Sequence, residues 1–302
     1  MDMMHFIGGI NRPPYEAQDG FLQITTGCSH NGCFFCSYYK QDAFRQLSLA
    51  EIEEEVKQIP LYFGQPSRIF LQAADAFRAD YDTLMKTAEF IHRYVPSVKT
   101  IGGYARIDNF CDKTLKQIVS LKDAGFANPY IGVESGDDHL LRFMNKGYDA
   151  ALAREQLEKL DAAGFAYVVN WINGLGGKDY GMNHAIRTAA LYQGLHPSLI
   201  DISSLVLVPQ TGLWFLARRG KYTEAGEVER LQELQEFLRQ LDNHTVFQAE
   251  HISVPFQVRT TIPEHKQELI DQIQQIIDTE GEDRLREFRE IYASQGYSAP
   301  ER

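Results

Sequence analysis

Three of the four cysteines in this 302-residue chain fall in one short run, Gly27-Cys28-Ser29-His30-Asn31-Gly32-Cys33-Phe34-Phe35-Cys36-Ser37-Tyr38-Tyr39-Lys40, with the spacing C-x4-C-x2-C. Clustered thiols of this kind in a reducing compartment bind metal more often than they form disulfides. A closed structural zinc site takes four N or S ligands, commonly from two separated pairs. No second C-x2-C or H-x3-H pair follows, although His30 inside the loop could supply a fourth ligand. Iron–sulfur clusters are held by cysteine thiolates, and three thiolates leave one iron open to a small molecule. Cys111, alone after an Asn-Phe pair, reads as a buried thiol acting as a small apolar side chain.

Other chemistry-bearing residues directly follow strand-like runs. They are Ala73-Ala74-Asp75, Tyr104-Ala105-Arg106, Glu134-Ser135-Gly136 with Asn145-Lys146-Gly147, Asn170 with the glycines at 174, 176 and 177, and Leu207-Val208-Pro209. Asp75 taken alone also fits a turn carboxylate or a helix cap. The planar fork of Arg106 suits a carboxylate. Glu134, a carboxylate at the end of an apolar strand, is costly to bury without partners. The three glycines hint at a phosphate loop, but neither G-x4-G-K-[ST] nor a complete G-x-G-x-x-G is present. Tyr38, Tyr39, His251 and Ser253 are polar groups that could meet a substrate.

The elements that must position these residues alternate. Strand-like runs are predicted at 21–26, 69–71, 98–104, 129–134, 167–172 and 200–208. Helices are predicted after Ser48, whose pairing with Glu51 makes a capping box, and at 80–94, 112–124, 150–163, 184–195 and 224–241. Six strand-then-helix units imply an α/β fold with a parallel sheet and outer helices, able to curl into a partial (β/α)6 TIM-like barrel. In such barrels the active site lies at the C-terminal ends of the strands. Residues 1–20 read as an irregular lead-in, 21–242 as the barrel and 243–302 as a mainly helical C-terminal extension containing one strand-like stretch.

The composition, 44% apolar and 24% charged, is that of an ordinary globular chain. No apolar run reaches the ~18 residues of a membrane span, and the N-terminus has no leader pattern, so a cytoplasmic protein is expected. The net charge of −11 and the lack of a visible basic block count against nucleic acid as a partner.

The cysteine loop resembles that of the radical S-adenosylmethionine (SAM) enzymes, whose usual spacing is C-x3-C-x2-C. The extra residue and the aromatic Phe35 before the last cysteine are similar to the subset containing the elongator catalytic subunit, and the strand end at 131–136 resembles that of coproporphyrinogen dehydrogenase relatives. The resemblance covers roughly residues 20–260. It implies that Cys28, Cys33 and Cys36 hold a [4Fe–4S] cluster, that SAM binds its open iron, and that SAM is cleaved to a 5′-deoxyadenosyl radical that takes a hydrogen atom from a small organic substrate. It further implies that Phe35 packs near adenine, Ala73, Ala74 and Asp75 meet the SAM amino group, Glu134 accepts the ribose hydroxyls beside Ser135, and Lys146 lies near the SAM carboxylate. Arg106 would reach a carboxylate or the substrate, Asn170 the ribose, and the backbone at Val208 the adenine. An electron donor such as flavodoxin or ferredoxin is expected, as is oxygen sensitivity. An RNA-modifying member of the same family, and a non-catalytic zinc or iron–sulfur protein, are the alternatives.

Overall fold

The computed structural model describes residues 6–296, which divide into two compact units. The first comprises residues up to Asn31, Tyr38–Gly132 and Gln156–Val168; the second comprises Gly32–Ser37, Val133–Glu155 and residues from Val169 onward. Cys28 therefore belongs to the first and Cys33 and Cys36 to the second.

The first unit runs β1 (Gly20–Gln23), β2 (Thr25–Thr26), β3 (Arg45–Gln46), α1 (Leu49–Phe63), β4 (Arg68–Gln72), α2 (Tyr81–Tyr94), β5 (Thr100–Ala105), α3 (Leu115–Asp123) and most of β6 (Phe126–Glu134). Its sheet has the order β1-β4-β5-β6, all parallel, with Phe21 beside Phe70, Ile69 beside Ile101 and Tyr104 beside Tyr130. Each helix begins where a side chain can satisfy its first amides. Ser48 and Glu51 close the capping box of α1, Asp80 caps α2, and Thr114 with Gln117 caps α3. That cap starts α3 at Leu115, three residues later than the sequence pattern implies. The buried face of α1 is Ile52, Val56 and Ile59, each worth about 1.5–3 kcal/mol when removed from water. Cys111 is exposed, contrary to its reading as a buried thiol. It is the C-terminal cap of a short turn, Ile107–Phe110, where its amide donates to the Asp108 carbonyl at 3.3 Å.

The second unit holds α4 (Asp138–Phe143), the first part of α5 (Ala150–Ala162), β7 (Val168–Asn173), α6 (Gly181–Tyr192), β8 (Leu199–Ser204), α7 (Gly212–Arg218), α8 (Glu227–Gln240), β9 (Thr245–Ala249), β10 (Val258–Ile262) and α9 (Lys266–Gly296). Its strand order is β7-β8-β9-β10; β9 joins β8 in parallel and β10 returns antiparallel. The tail thus supplies two strands where the sequence indicates one. Helix α9 is broken at Gly281, whose φ of 67° and ψ of 176° are not helical.

A fully buried relay fixes β7 against α6 and α8. Trp171 Nε1–H donates to His184 Nε2 at 3.1 Å, which leaves the ring proton on Nδ1 to donate to Glu233 Oε1 at 2.7 Å. The other Glu233 oxygen accepts the Gly174 amide at 2.9 Å, at the first turn after β7. Among the described residues, no helix is long and apolar enough to cross a membrane.

Candidate active site

In the first unit, the cysteine loop leaves β2 through Gly27, at a φ of 62°. A Cβ there would lie 2.5 Å from the Asp42 carbonyl oxygen, so only glycine fits. Cys28 follows, partly exposed, and its Sγ accepts the Asn31 amide at 3.3 Å. Asn31 itself has a φ of 45°, which asparagine tolerates better than most residues. Its side chain donates to the Tyr39 carbonyl at 2.8 Å, and Lys40 Nζ donates to its own carbonyl at 2.8 Å, so the loop is folded back on itself.

Ser29 reaches across 46 residues of sequence to the turn after β4. Its amide donates to both oxygens of Asp75, at 3.3 and 3.2 Å, and its hydroxyl donates to Oδ2. Asp75 is wholly buried. Burial pushes its carboxyl up to about 6, against the hydrogen bonds from Ser29 and the charge of Arg106. Burial, and then the Asp75 carboxylate, push the Cys28 thiol up as well. The Ala74 amide donates to the Gly27 carbonyl at 3.3 Å, and Ala73 sits at a φ of 80°, a conformation made for glycine. Arg106, 5% exposed, grips Asp108 with two parallel bonds of 2.9 Å from Nε and Nη2. Asp75, Arg106 and Cys28 are thus brought together with the Ala73-Ala74 turn.

In the second unit, the segment between Cys33 and Cys36 is pinned on both sides. The Phe34 amide donates to Met144 O at 3.0 Å, Phe34 O accepts the Leu213 amide at 2.8 Å, and Asn145 Nδ2 donates to Gly32 O at 2.9 Å. Phe35 packs against the cluster of Met144, Leu175, Leu205, Leu213 and Tyr222. Beside it lies Lys146, with Nζ 5.8 Å from the centroid of Phe35, 5.4 Å from that of Tyr148 and 3.4 Å from Glu134 Oε1. Glu134 closes β6 at a φ of 65°, a strained conformation for a residue with a long side chain. Phe35, Glu134 and Lys146 form one group.

Other expected residues are engaged elsewhere. The Ser135 hydroxyl accepts the Asp137 amide at 3.0 Å at the entry to α4. Asn170 donates to Asp201 O at 3.3 Å and exchanges bonds of 3.4 Å with Ser203. The Val208 carbonyl accepts from Thr211 Oγ1 at 2.7 Å, in the turn that starts α7. His251 and Ser253 share a 2.6 Å bond, and Ser253 Oγ accepts the amide of Ser204, the last residue of β8, at 2.8 Å. Tyr38 is exposed, whereas Tyr39 is buried at a φ of 54°. Ser29 and Asn31 are contributors that the sequence does not single out; Asn31 and Asn145 both adopt positive φ.

All three loop cysteines are free thiols and partly exposed. Among the described residues, no three His, Cys, Asp or Glu side chains converge tightly enough for a single metal ion. Cysteine thiols are the ligands that iron–sulfur clusters take, and the three free ones of this loop fit that chemistry.

The chain spans 60% and 34% of the lengths of the two curated relatives it matches. The heme chaperone HemW of Bacillus subtilis (strain 168) is 22% identical over 229 residues, 74% of this chain and 60% of that protein. The threonylcarbamoyladenosine tRNA methylthiotransferase MtaB of Rickettsia prowazekii (strain Madrid E) is 27% identical over 146 residues, 47% of this chain and 34% of that protein. Among solved structures, coproporphyrinogen III oxidase (HemN) from Escherichia coli, a radical SAM enzyme, superposes with a TM-score of 0.52 at 15% identity, covering 74% of this chain and 53% of that one. The fold is accordingly the mostly parallel α/β arrangement of those partial barrels. The family model of the Radical SAM superfamily matches residues 22–191, more than half of the sequence, and the chain belongs to that superfamily of enzymes, which work with a [4Fe–4S] cluster and SAM.

Proposed function

We propose that Cys28, Cys33 and Cys36 hold a [4Fe–4S] cluster whose open iron takes SAM, and that the enzyme abstracts a hydrogen atom from a small organic substrate. When bound, the cluster supplies the electron that cleaves SAM reductively to methionine and a 5′-deoxyadenosyl radical. The observation that carries the reading is the loop of three free thiols, which lies inside the stretch matched by the family model.

The remaining roles belong to the chain's own groups. The turn Ala73-Ala74-Asp75 offers backbone oxygens and a buried carboxylate to the SAM amino group, with Asp75 held by Ser29. Lys146, buried beside Glu134, supplies a cation for the SAM carboxylate, and Glu134 accepts from ribose hydroxyls. Phe35 gives adenine an apolar wall. Asn170 and the backbone at Val208 complete the ribose and adenine contacts, and Arg106, held by Asp108 and partly offsetting the Asp75 charge at Cys28, reaches a carboxylate or the substrate. A cytoplasmic setting follows from thiols that must stay reduced.

A tRNA-directed reaction is the second reading, favoured by the name of the Rickettsia relative and opposed by the net charge of −11.

The test is anaerobic reconstitution. The protein should turn brown, bind about four irons per chain, and release 5′-deoxyadenosine from SAM with dithionite. The triple variant C28A/C33A/C36A should lose both the colour and the product. Persistence of 5′-deoxyadenosine in that variant, or a colourless protein loaded with zinc, would refute the assignment.

A further inference from the structure

Among the described residues, Gln72 is the one side-chain amide with both polar atoms buried and unbonded. It ends β4 at 2% exposure, directly before the Ala73-Ala74-Asp75 turn. Buried polar groups are nearly always hydrogen-bonded, because an unpaired one forfeits its bonds to water without replacement. Gln23, its neighbour across the pairing of β1 with β4, shows what such a side chain takes. Gln23 Oε1 accepts the Ile7 amide at 2.8 Å and its Nε2 donates to the Ile7 carbonyl at 2.9 Å, so one N–H and one C=O side by side satisfy it.

The surroundings of Gln72 are aromatic, and all of them belong to the first unit. Side chains alternate along a strand, so Gln72 shares a face with Phe70, and the parallel register brings Tyr104 of β5 beside it. The Phe70 and Tyr104 rings meet edge to face at 5.1 Å between centroids, and Tyr104 meets Tyr130 of β6 in the same way at 5.3 Å. Phe70 is fully buried, whereas the two tyrosines are half-buried, so the row leads from the interior to an accessible edge. Gln72 stands at the C-terminal end of its strand, the end at which barrels of parallel strands hold their ligands.

We propose that Gln72 binds the substrate, and that the substrate carries an amide-type edge, an N–H beside a C=O, as in a carboxamide, lactam or imide; the inference rests on the function proposed above and names a substrate class for it. Gln72 Oε1 accepts the ligand's N–H while Nε2 donates to its C=O, the same pairing that Gln23 makes with Ile7. The apolar body of the ligand lies against the ring of Tyr104. Burial makes the pair selective, because a ligand without this edge leaves both Gln72 atoms unpaired. The adenine of SAM presents the same chemistry, N6–H beside N7. In the function proposed above adenine is met by Phe35 and the backbone at Val208, which leaves Gln72 to the substrate.

The experiment uses the cluster-loaded enzyme with SAM, without reductant, and four probes: 2-pyrrolidinone, uracil, hydantoin and nicotinamide. Ligand-observed NMR measures their binding to the wild type, Gln72→Met and Gln72→Glu, and calorimetry measures SAM binding. At least one probe should bind the wild type, and Gln72→Met should weaken it about tenfold or more. Gln72→Glu, which keeps the acceptor and loses the donor, should weaken it too, with SAM affinity the same in all three proteins. Gln72→Met removes two unpaired polar atoms at nearly equal volume, so its urea midpoint without a probe should be no lower than that of the wild type. Failure of every probe to bind the wild type, equal binding by Gln72→Met, or a lower urea midpoint in that variant would overturn the proposal. Loss of SAM affinity in Gln72→Met would assign the amide to adenine and overturn it as well. A wild type that yields no 5′-deoxyadenosine with dithionite would instead overturn the function, and probe binding, read without turnover, would still decide Gln72.

Discussion

Ala73 directly after β4 and Glu134 at the end of β6 have φ of 80° and 65°, although neither is glycine. For Ala73 the left-handed conformation costs roughly 1 kcal/mol. Ala73→Gly should therefore raise stability toward urea by up to about 1 kcal/mol, reduced by the greater freedom glycine gives the unfolded chain. A stability loss larger than that would mean the alanine methyl packs usefully. A second residue-scale expectation concerns pH. Burial, then a hydrogen bond from the Glu16 carboxyl and its charge, push Asp19 from 3.8 up to about 7, against the pull of Arg68 and Arg12. Because its folded value lies above its unfolded one, the folded state holds the extra proton between about pH 4 and 7, and stability falls as pH rises through that window. Asp19→Asn stays neutral, so urea midpoints of the variant should fall less than those of the wild type between pH 5 and 8. Parallel curves would contradict the assignment.

Among the elements, helices and strands with a full apolar face were legible in the sequence. The run Ile52, Val56, Ile59 behind a Ser48 cap is visible without coordinates, and so is the glycine at which α3 hands over to β6. Helices α4 and α7, of six and seven residues, were not, because fewer than two turns leave no periodicity to read. Nor were the contacts that shape the site. The link from Ser29 to Asp75 joins residues 46 apart, and nothing in the types Ala73 or Glu134 announces a positive φ. The relay from Trp171 through His184 to Glu233 is equally non-local, and it fixes the Gly174 turn directly after β7. Glu233→Ala would leave the His184 Nδ1–H and the Gly174 amide buried without an acceptor. The expected cost is about 3 kcal/mol in urea unfolding. A loss under about 1 kcal/mol would show that water or a neighbour replaces the carboxylate.

At the level of the molecule, sequence and structure divide the work differently. Repeated strand-then-helix units announce the α/β class, and the cysteine spacing announces the chemistry, because both are local patterns. The grouping of Phe35, Glu134 and Lys146, or of Cys28, Asp75 and Arg106, depends on which strand ends lie side by side. The substrate depends on side chains outside those shared patterns, and the low identity to every relative named above leaves them particular to this chain.

The break at Gly281 has a bearing on how the last helix is used. Immediately past it, Glu282 turns its carboxylate onto the first amides of α8, bonding Glu227 N at 3.0 Å and Val228 N at 2.9 Å, while Arg286 steadies it at 2.7 Å. Helix α8 has no side-chain cap of its own at Gly226, so it borrows one from the far end of the sequence. A chain shortened before residue 281 would leave the opening turn of α8 to unravel, and it would also lose Arg289, whose Nη2 donates to Glu227 at 2.8 Å and whose Nη1 donates to the Leu205 carbonyl at 2.9 Å, leaving Arg230 Nη1 to hold that carbonyl alone.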